Sequence, residues 1–172
     1  MDIELLATDR LRMDGIEYRC ATGKSGISSN KREGDNCTPV GRFPLRQLYW
    51  RPDVFKQAPE TGLETIRLEP EMGWCDAPKD ERYNHPVLLP YPASHEKLWR
   101  ADHVYDLILV VGYNDEPVMP GAGSAIFIHL ARENYEGTEG CVALNRADLL
   151  EVLSKLRPDS WLYVPPEIAT KS

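Results

Sequence analysis

Short alternating and apolar runs dominate the chain, and they predict β-strands along most of its length. In "DIELLATDRLRMDGIEYRCATG" the apolar residues form short runs broken by Asp-Gly, which predicts two strands joined by a tight turn. After a polar loop, "PVGRFPLRQLYW" alternates well enough to predict another strand, preceded by a turn at residues 38–41. The runs "YDLILVVGYN" and "GSAIFIHL" are nearly continuously apolar, so we expect them to be buried central strands.

Helical spacing is confined to "NRADLLEVLSKL", residues 145–156. Its leucines predict one apolar face, and Asn145 or Arg146 is expected to open the helix. The leucines concerned are Leu149, Leu150, Leu153 and Leu156. Prolines are frequent at 51–99, which predicts short strands and irregular loops, and "SWLYVPP" predicts a last strand. The patterns together predict a β-rich α+β fold with one main helix.

Length and net charge limit the number of domains and the classes of binding partner. A chain of 172 residues is most simply one domain, so we expect a single domain over residues 1–172. Its 20 Lys and Arg against 27 Asp and Glu give a net charge of -7 without a basic run, which argues against nucleic acid as a partner. No stretch resembles a secretory signal or a membrane span. Peptides, wall polymers and small molecules stay open.

The cysteines are scattered and form no CxxC pair, so we expect no metal site and no redox motif. Two alternatives remain for Cys20, Cys37 and Cys75: one disulfide among them if the protein is exported, or three partly buried thiols.

Cys141 and His129 are the candidate catalytic pair. A thiol attacks as thiolate, so a catalytic cysteine needs a cationic neighbour or a helix N-terminus. Cys141 precedes the predicted helix, and His129 ends a predicted strand from which an eleven-residue loop leads back to the cysteine. Gly140 permits a sharp turn and is expected to leave its amide free for a developing oxyanion.

The segment with His129 and "TEGC" resembles the catalytic signature of the YkuD-like L,D-transpeptidase family, in which a His is followed by Ser or Thr, one variable residue, Gly and Cys. The blocks "KREGDNCTPVGRFPL", "GWCDAPKDERYN" and "GAGSAIFIHL" are similar to stretches of one bacterial branch. The resemblance covers roughly residues 20–164. It implies a single catalytic domain with a mixed β-sandwich or barrel and one main helix after the cysteine.

The resemblance also implies roles for four residues. Cys141 would be the nucleophile, His129 its base, Thr138 the hydroxyl at the motif's Ser position and Gly140 part of the oxyanion site. The implied reaction attacks an L-centre carbonyl of a peptidoglycan stem peptide and transfers the acyl group to a diaminopimelate amine, without a cofactor. Transfer to water would make the protein an L,D-carboxypeptidase.

Two positions depart from the common family pattern, because Leu130 stands where many members have Gly and Ala143 where many have Arg. Arg132 is a candidate replacement for that guanidinium, with a solvated loop charge as the alternative. A divergent branch of the family forms 1,3-type crosslinks from L-Ala to diaminopimelate, so both 3,3-type and 1,3-type products are expected candidates.

Further candidates for substrate binding are less specific, because aromatic residues at such positions also form cores. They are Trp74, Tyr83, Asn84, Tyr113 and Asn114. Two other functions stay open: a noncatalytic wall-binding module, and another cysteine hydrolase, although papain-like enzymes place the cysteine before the histidine. The family implies a location in the periplasm or cell envelope. The sequence indicates no oligomeric state.

Overall fold

The structure, a computed structural model, describes residues 1–172 and contains fourteen strands and one α-helix. The first seven strands are β1 (Asp2–Ala7), β2 (Arg10–Met13), β3 (Ile16–Arg19), β4 (Ile27–Ser28), β5 (Thr38–Pro39), β6 (Gly41–Trp50) and β7 (Glu64–Arg67). The others are β8 (Met72–Cys75), β9 (Pro86–Leu88), β10 (His95–Lys97), β11 (Leu107–Val111), β12 (Phe127–Leu130), β13 (Val142–Leu144) and β14 (Trp161–Val164). The helix α1 spans Arg146–Lys155, and short 3-10 turns lie at Glu133–Tyr135 and Pro166–Ile168.

The N-terminal segment forms three strands where the pattern predicted two. The predicted tight turn lies at Asp14 and Gly15, whose φ angles of 52° and 75° suit a two-residue hairpin between β2 and β3. A second turn after Ala7 divides the first apolar run into β1 and β2. The Asp-Gly pair therefore predicted one turn correctly, while the turn after Ala7 contains no glycine and was missed.

Nine strands form one sheet that curls nearly closed. Eight follow the order β13-β12-β11-β6-β14-β1-β2-β3, and β7 pairs with β6. Residues after β3 then meet the far edge, through bridges from Ala21 to Ala143 and from Gly23 to Thr138. The predicted central position of β11 and β12 is confirmed, since each has a strand on both sides. The β-rich α+β class with a barrel-like sheet is confirmed as well.

Two hydrophobic clusters lie on the two faces of this sheet. The larger cluster takes residues from strands across the sheet and is completed by α1 through Leu149, Val152 and Leu153. The smaller one lies between the sheet and the three-stranded sheet β10-β8-β9, and it contains Phe127 and Cys141. Strand β12 serves both clusters because its side chains alternate between the faces. Cys141 therefore belongs to the face that β8 to β10 cover.

The helix begins as predicted, with Asn145 as its N-cap accepting a hydrogen bond from the amide of Asp148 at 2.8 Å. Two local predictions are wrong. The predicted turn at 38–41 begins with a strand, since β5 pairs in parallel with β4. The predicted direct passage from Cys141 into the helix is interrupted by β13, which pairs with β12. None of the helices has the length and hydrophobicity that a membrane crossing requires.

Candidate active site

Parallel pairing of β12 with β13 brings His129 and Cys141 to one face of the sheet. Ile128 is in register with Val142 and His129 with Ala143, so Cys141 lies level with Phe127. Residues two apart on a strand point to the same face, which makes His129 and Cys141 diagonal neighbours. The eleven-residue loop is the crossover that this parallel pairing needs. The proximity expected from loop length therefore has a defined geometry.

Both side chains line a cavity of about 560 Å³. Its walls come from the loop before β13, from β10 with the loops around it, and from the polar segment between β4 and β5. His129 and Cys141 are only 7% and 6% exposed, so they are reached through this cavity and not from the open surface. A ligand that enters it meets the thiol and the imidazole together.

Cys141 is held as a neutral thiol. Its Sγ donates to the Ala125 carbonyl at 3.3 Å and accepts from the Phe127 amide at 3.4 Å. Burial raises the pKa of Cys141 to about 12, the charge of Glu96 adds to the rise, and the Phe127 amide opposes it. Because these effects keep the proton on sulfur near neutral pH, a base must remove it during attack.

His129 is fixed in the tautomer that such a base needs. Its Nδ1 lies 2.9 Å from the Leu130 carbonyl, which only accepts, so Nδ1 carries the proton and Nε2 keeps its lone pair. Burial lowers the pKa of His129 to about 4, so the imidazole is neutral at pH 7. The Tyr105 ring packs edge-on against it, with centroids 5.4 Å apart. The Leu130 carbonyl and the Tyr105 ring thus fix the orientation of the imidazole.

Two threonine hydroxyls fasten the loop that carries Cys141. The Thr138 hydroxyl donates to the Cys141 carbonyl at 2.6 Å and accepts from the Gly140 amide at 3.0 Å. From the other side, Thr38 donates to the Gly140 carbonyl at 2.8 Å and accepts from the Gly23 amide at 2.9 Å. The loop is therefore tied to the chain on both sides of the cysteine.

Gly140 is required by its backbone and by its surroundings. Its φ is +133°, and a Cβ would lie 2.8 Å from the Cys37 carbonyl oxygen. The expectation that its amide is free for an oxyanion is wrong, since that amide donates to Thr138. The expected helix N-terminus at Cys141 is also wrong, because β13 separates the cysteine from α1. The Cys141 amide, in contrast, makes no hydrogen bond within the chain.

A cation, Lys31, lies beside the cysteine loop. Its side chain is 6% exposed and its Nζ lies 2.6 Å from Asp35 Oδ1. A Cβ on Gly140 would be 3.5 Å from that Nζ, so the ammonium lies beside the residue preceding the nucleophile. It favours the thiolate of Cys141 but does not outweigh burial. The expected cationic neighbour is present without producing a thiolate at rest.

Arg132 lines the same cavity and is 47% exposed. It contacts Asp102 at 3.2 Å, and the same carboxylate pairs with Arg100, which also lines the cavity. Ala143, where the common pattern has Arg, is buried at the cavity wall. The guanidinium groups at this site thus approach from the β10 and loop side and not from β13.

The five less specific candidates do not line the cavity. Trp74 and Asn84 are buried behind it, where the Asn84 carbonyl accepts from the Trp74 indole at 2.9 Å and from the Ala125 amide at 3.0 Å. Tyr83, also buried, donates to Glu33. Tyr113 packs on Phe43, and Asn114 binds the Met119 and Gly123 carbonyls. These residues support the segment that holds Ala125, which in turn accepts the thiol proton.

Lys31, Thr38 and Glu96 are among the residues of the cavity region that sequence reasoning missed. Lys31 and Thr38 belong to the block around "GDNCTP", which resembles the family, but their contacts with Gly140 cross more than a hundred residues. Glu96 lies in the proline-rich segment, and no sequence pattern around it indicates a functional residue. Its place beside the cysteine becomes visible only when β10 pairs with β8.

All four cysteines are buried free thiols, so the alternative of a disulfide among Cys20, Cys37 and Cys75 is not realised.

The family model of the YkuD L,D-transpeptidase catalytic domain matches residues 6–164, nearly the whole chain. Comparisons with curated proteins and with solved structures give no match.

Proposed function

The chain belongs to the L,D-transpeptidase catalytic domain family, and from that premise we propose that Cys141 forms an acyl-enzyme at an L-centre carbonyl of a peptidoglycan stem peptide. One observation carries the proposal: Cys141 and His129 lie on one face of paired strands and line one cavity. The members of this family are cysteine-dependent L,D-transpeptidases, and the roles of these two residues are our assignment.

Acylation starts from a neutral pair in this proposal. His129 Nε2 takes the thiol proton as Sγ attacks the carbonyl carbon, so the thiolate exists only during bond formation. The imidazolium then gives that proton to the nitrogen of the departing D-amino acid as the C–N bond breaks. The Leu130 carbonyl holds Nδ1 throughout and keeps the ring in place. The products are a thioester on Cys141 and a free amino acid.

The developing oxyanion needs donors near the sulfur, and we assign the Cys141 amide to this role because it has no partner within the chain. Thr138 and Thr38 hold the loop so that this amide keeps its direction. The Lys31 ammonium beside Gly140 adds positive charge on the same side. Thr138 and Gly140 therefore act by positioning and not by donating to the oxyanion.

The acceptor in this proposal is a diaminopimelate amine, and water as acceptor would give L,D-carboxypeptidase activity. We propose 1,3-type crosslinks at least as often as 3,3-type ones, because the cations lie away from β13. Arg132 and Arg100 come from other segments of the cavity wall, while Ala143 offers no charge. A donor carboxylate would then bind in a different register from that of members with Arg at this position. We place the reaction in the periplasm or cell envelope.

Defined muropeptides test the proposal. Tetrapeptide muropeptides incubated with the protein should yield dimers or hydrolysed stems cleaved at an L-centre, and Cys141→Ala should yield neither. Tandem mass spectrometry of the dimers distinguishes 1,3-type from 3,3-type links. Exclusively 3,3-linked dimers would contradict the altered register, and no turnover with intact Cys141 would favour a wall-binding module.

A further inference from the structure

The cavity wall formed by β10 and the end of β8 carries two carboxylates. Glu96 on β10 and Asp76 after β8 line the same cavity as Cys141. Glu96 forms no ion pair, and its Oε1 accepts from the Tyr105 hydroxyl at 2.8 Å. The Oδ1 of Asp76 is buried and has no hydrogen-bond donor within the chain. Two carboxylates thus line the cavity of the nucleophile, and neither forms an ion pair within the chain.

Such an arrangement is costly unless a ligand completes it. Burial removes hydration from these carboxylates, and the protein replaces it only in part, through the Tyr105 hydroxyl on Glu96. The guanidinium of Arg100, whose charge acts on Glu96, is already paired with Asp102. The missing partner is therefore a cation that carries several N–H donors, which is the chemistry of an ammonium group.

We propose that Glu96 binds the ammonium of the acyl acceptor and removes its proton before the amine attacks the thioester on Cys141. The inference rests on the proposed acyl-enzyme and concerns the second half of the reaction only. Asp76 would accept a further N–H from the same ammonium through its unpaired oxygen. Glu96 is then a catalytic residue distinct from the thiol's base, His129.

The step balances in protons and electrons. Glu96 takes one proton from the ammonium, and the freed lone pair of nitrogen forms a bond to the thioester carbon. His129 takes a second proton from that nitrogen and delivers it to Sγ as the C–S bond breaks. The products are a secondary amide, the Cys141 thiol and a protonated Glu96, which releases its proton to solvent.

The charge state of Glu96 agrees with this role. Burial raises the pKa of Glu96 to about 7, and the hydrogen bond from Tyr105 opposes the rise. A base with a pKa near the working pH combines an available unprotonated form with strength to accept the proton. The charged and titratable groups that face it are Tyr105, Asp76, Glu139, Arg100 and Cys141.

Glu96→Gln separates this role from acylation. Glutamine keeps the size and the acceptor for Tyr105 but cannot take a proton. We expect crosslinked dimer to form about 100-fold more slowly, as is typical of a lost general base. Formation of the acyl-enzyme, followed by intact-protein mass spectrometry, should be unchanged or faster, because Glu96 raises the pKa of Cys141. The acyl-enzyme then passes to water, and the ratio of hydrolysis to transfer rises.

Two further variants keep the test decisive. Glu139→Gln, at the variable position of the cysteine motif, is the matched control: transfer should persist with its pH limb moved to lower pH, since one negative neighbour of Glu96 is gone. Tyr105→Phe should move that limb to higher pH. Equal transfer by Glu96→Gln and wild type, or pH limbs that stay fixed in both variants, would overturn the role of Glu96. Failure of acylation in the wild type would instead overturn the proposed function.

Discussion

At Cys141 and His129, burial acts against charge on both partners. It raises the pKa of the thiol to about 12 and lowers that of the imidazole to about 4. A thiolate paired with an imidazolium would therefore be unfavourable before substrate binds. Charge appears only as the proton moves, and the site protects its nucleophile from reagents that need a preformed thiolate.

His129→Ala should lower the rate of acyl-enzyme formation about 100-fold, because it removes the base assigned to the thiol proton. In the wild type, the acid limb of acylation should lie near the His129 pKa of about 4, since the imidazole is unprotonated above it. Acylation rates from pH 3.5 to 8 measure both. His85→Ala is the matched control, because His85 also bonds a backbone carbonyl through Nδ1 but lies outside the cavity. A limb near pH 6.5 would contradict the neutral pair.

The sequence was sufficient for the residues that share a local motif and insufficient for those brought in from elsewhere. Cys141, His129 and Thr138 lie within one short segment, so their spacing exposed them as candidates. Lys31 and Glu96 reach the cavity from other segments. Their place in the cavity depends on strand pairing between distant segments, which local spacing does not encode. Gly140 was correctly assigned to the cysteine loop, but its amide donates to Thr138 and is not free for an oxyanion.

At the scale of elements, the cysteine loop is an irregular segment held between regular ones. Thr138 ties it within its own chain segment, and Thr38 on β5 ties it to a strand far away in sequence. Thr38 is fully buried, so both of its hydrogen bonds are shielded from water. The geometry of the nucleophile thus depends on β5 as much as on β12 and β13.

Thr38→Val should cost about 1–3 kcal/mol of unfolding free energy, because the buried Gly23 amide loses its acceptor. Acylation should also slow, since the Gly140 carbonyl loses the donor that holds the loop. Thr38→Ser keeps the hydroxyl and should restore most of both. Chemical denaturation and acylation rates measure the two effects. Equal stability of the valine and serine variants would show that the hydroxyl does not fasten the loop.

Element positions were largely predictable, because apolar runs of strand length and one helical repeat mark them. The run in "GSAIFIHL" predicted β12, and the leucine spacing predicted α1 with its Asn145 cap. The short strands β5 and β13 were missed, since two or three residues carry no periodic pattern. Their existence depends on partners: β5 pairs with β4, and β13 with β12.

At the scale of the whole molecule, two titratable groups of the cavity give stability opposite dependences on pH. The pKa of His129 falls from 6.5 to about 4 on folding, so the unfolded chain binds the extra proton and stability rises with pH in that range. The pKa of Glu96 rises from 4.5 to about 7, so the folded chain binds the extra proton and stability falls with rising pH.

Between pH 4.5 and 6.5 these contributions oppose each other in the wild type. Glu96→Gln removes the falling one, so the stability of this variant relative to wild type should rise with pH by about 1.4 kcal/mol per unit at most. His129→Ala should show the reverse slope. Denaturant unfolding at several pH values measures the differences. Curves that run parallel to the wild type would contradict the shifted pKa of the substituted group.

Strand order was beyond the sequence, because any strand of suitable pattern can pair with several others. No local sequence pattern predicts that β14 lies between β6 and β1, or that residues after β3 pair near β13. The residue patterns predicted the β-rich α+β class, and the family resemblance added the barrel-like architecture. The register that places His129 beside Cys141 came only with the structure.

The place of β14 in the sheet has a consequence for biosynthesis. Strands β1 to β3, made first, join the remainder of the sheet through β14, which is made near the end. A nascent chain that lacks residues 161–164 has no strand to link β1 with β6. The hairpins of β1 to β3 therefore lack their neighbour β14 during most of translation. The barrel-like sheet closes only after almost the entire chain has been made.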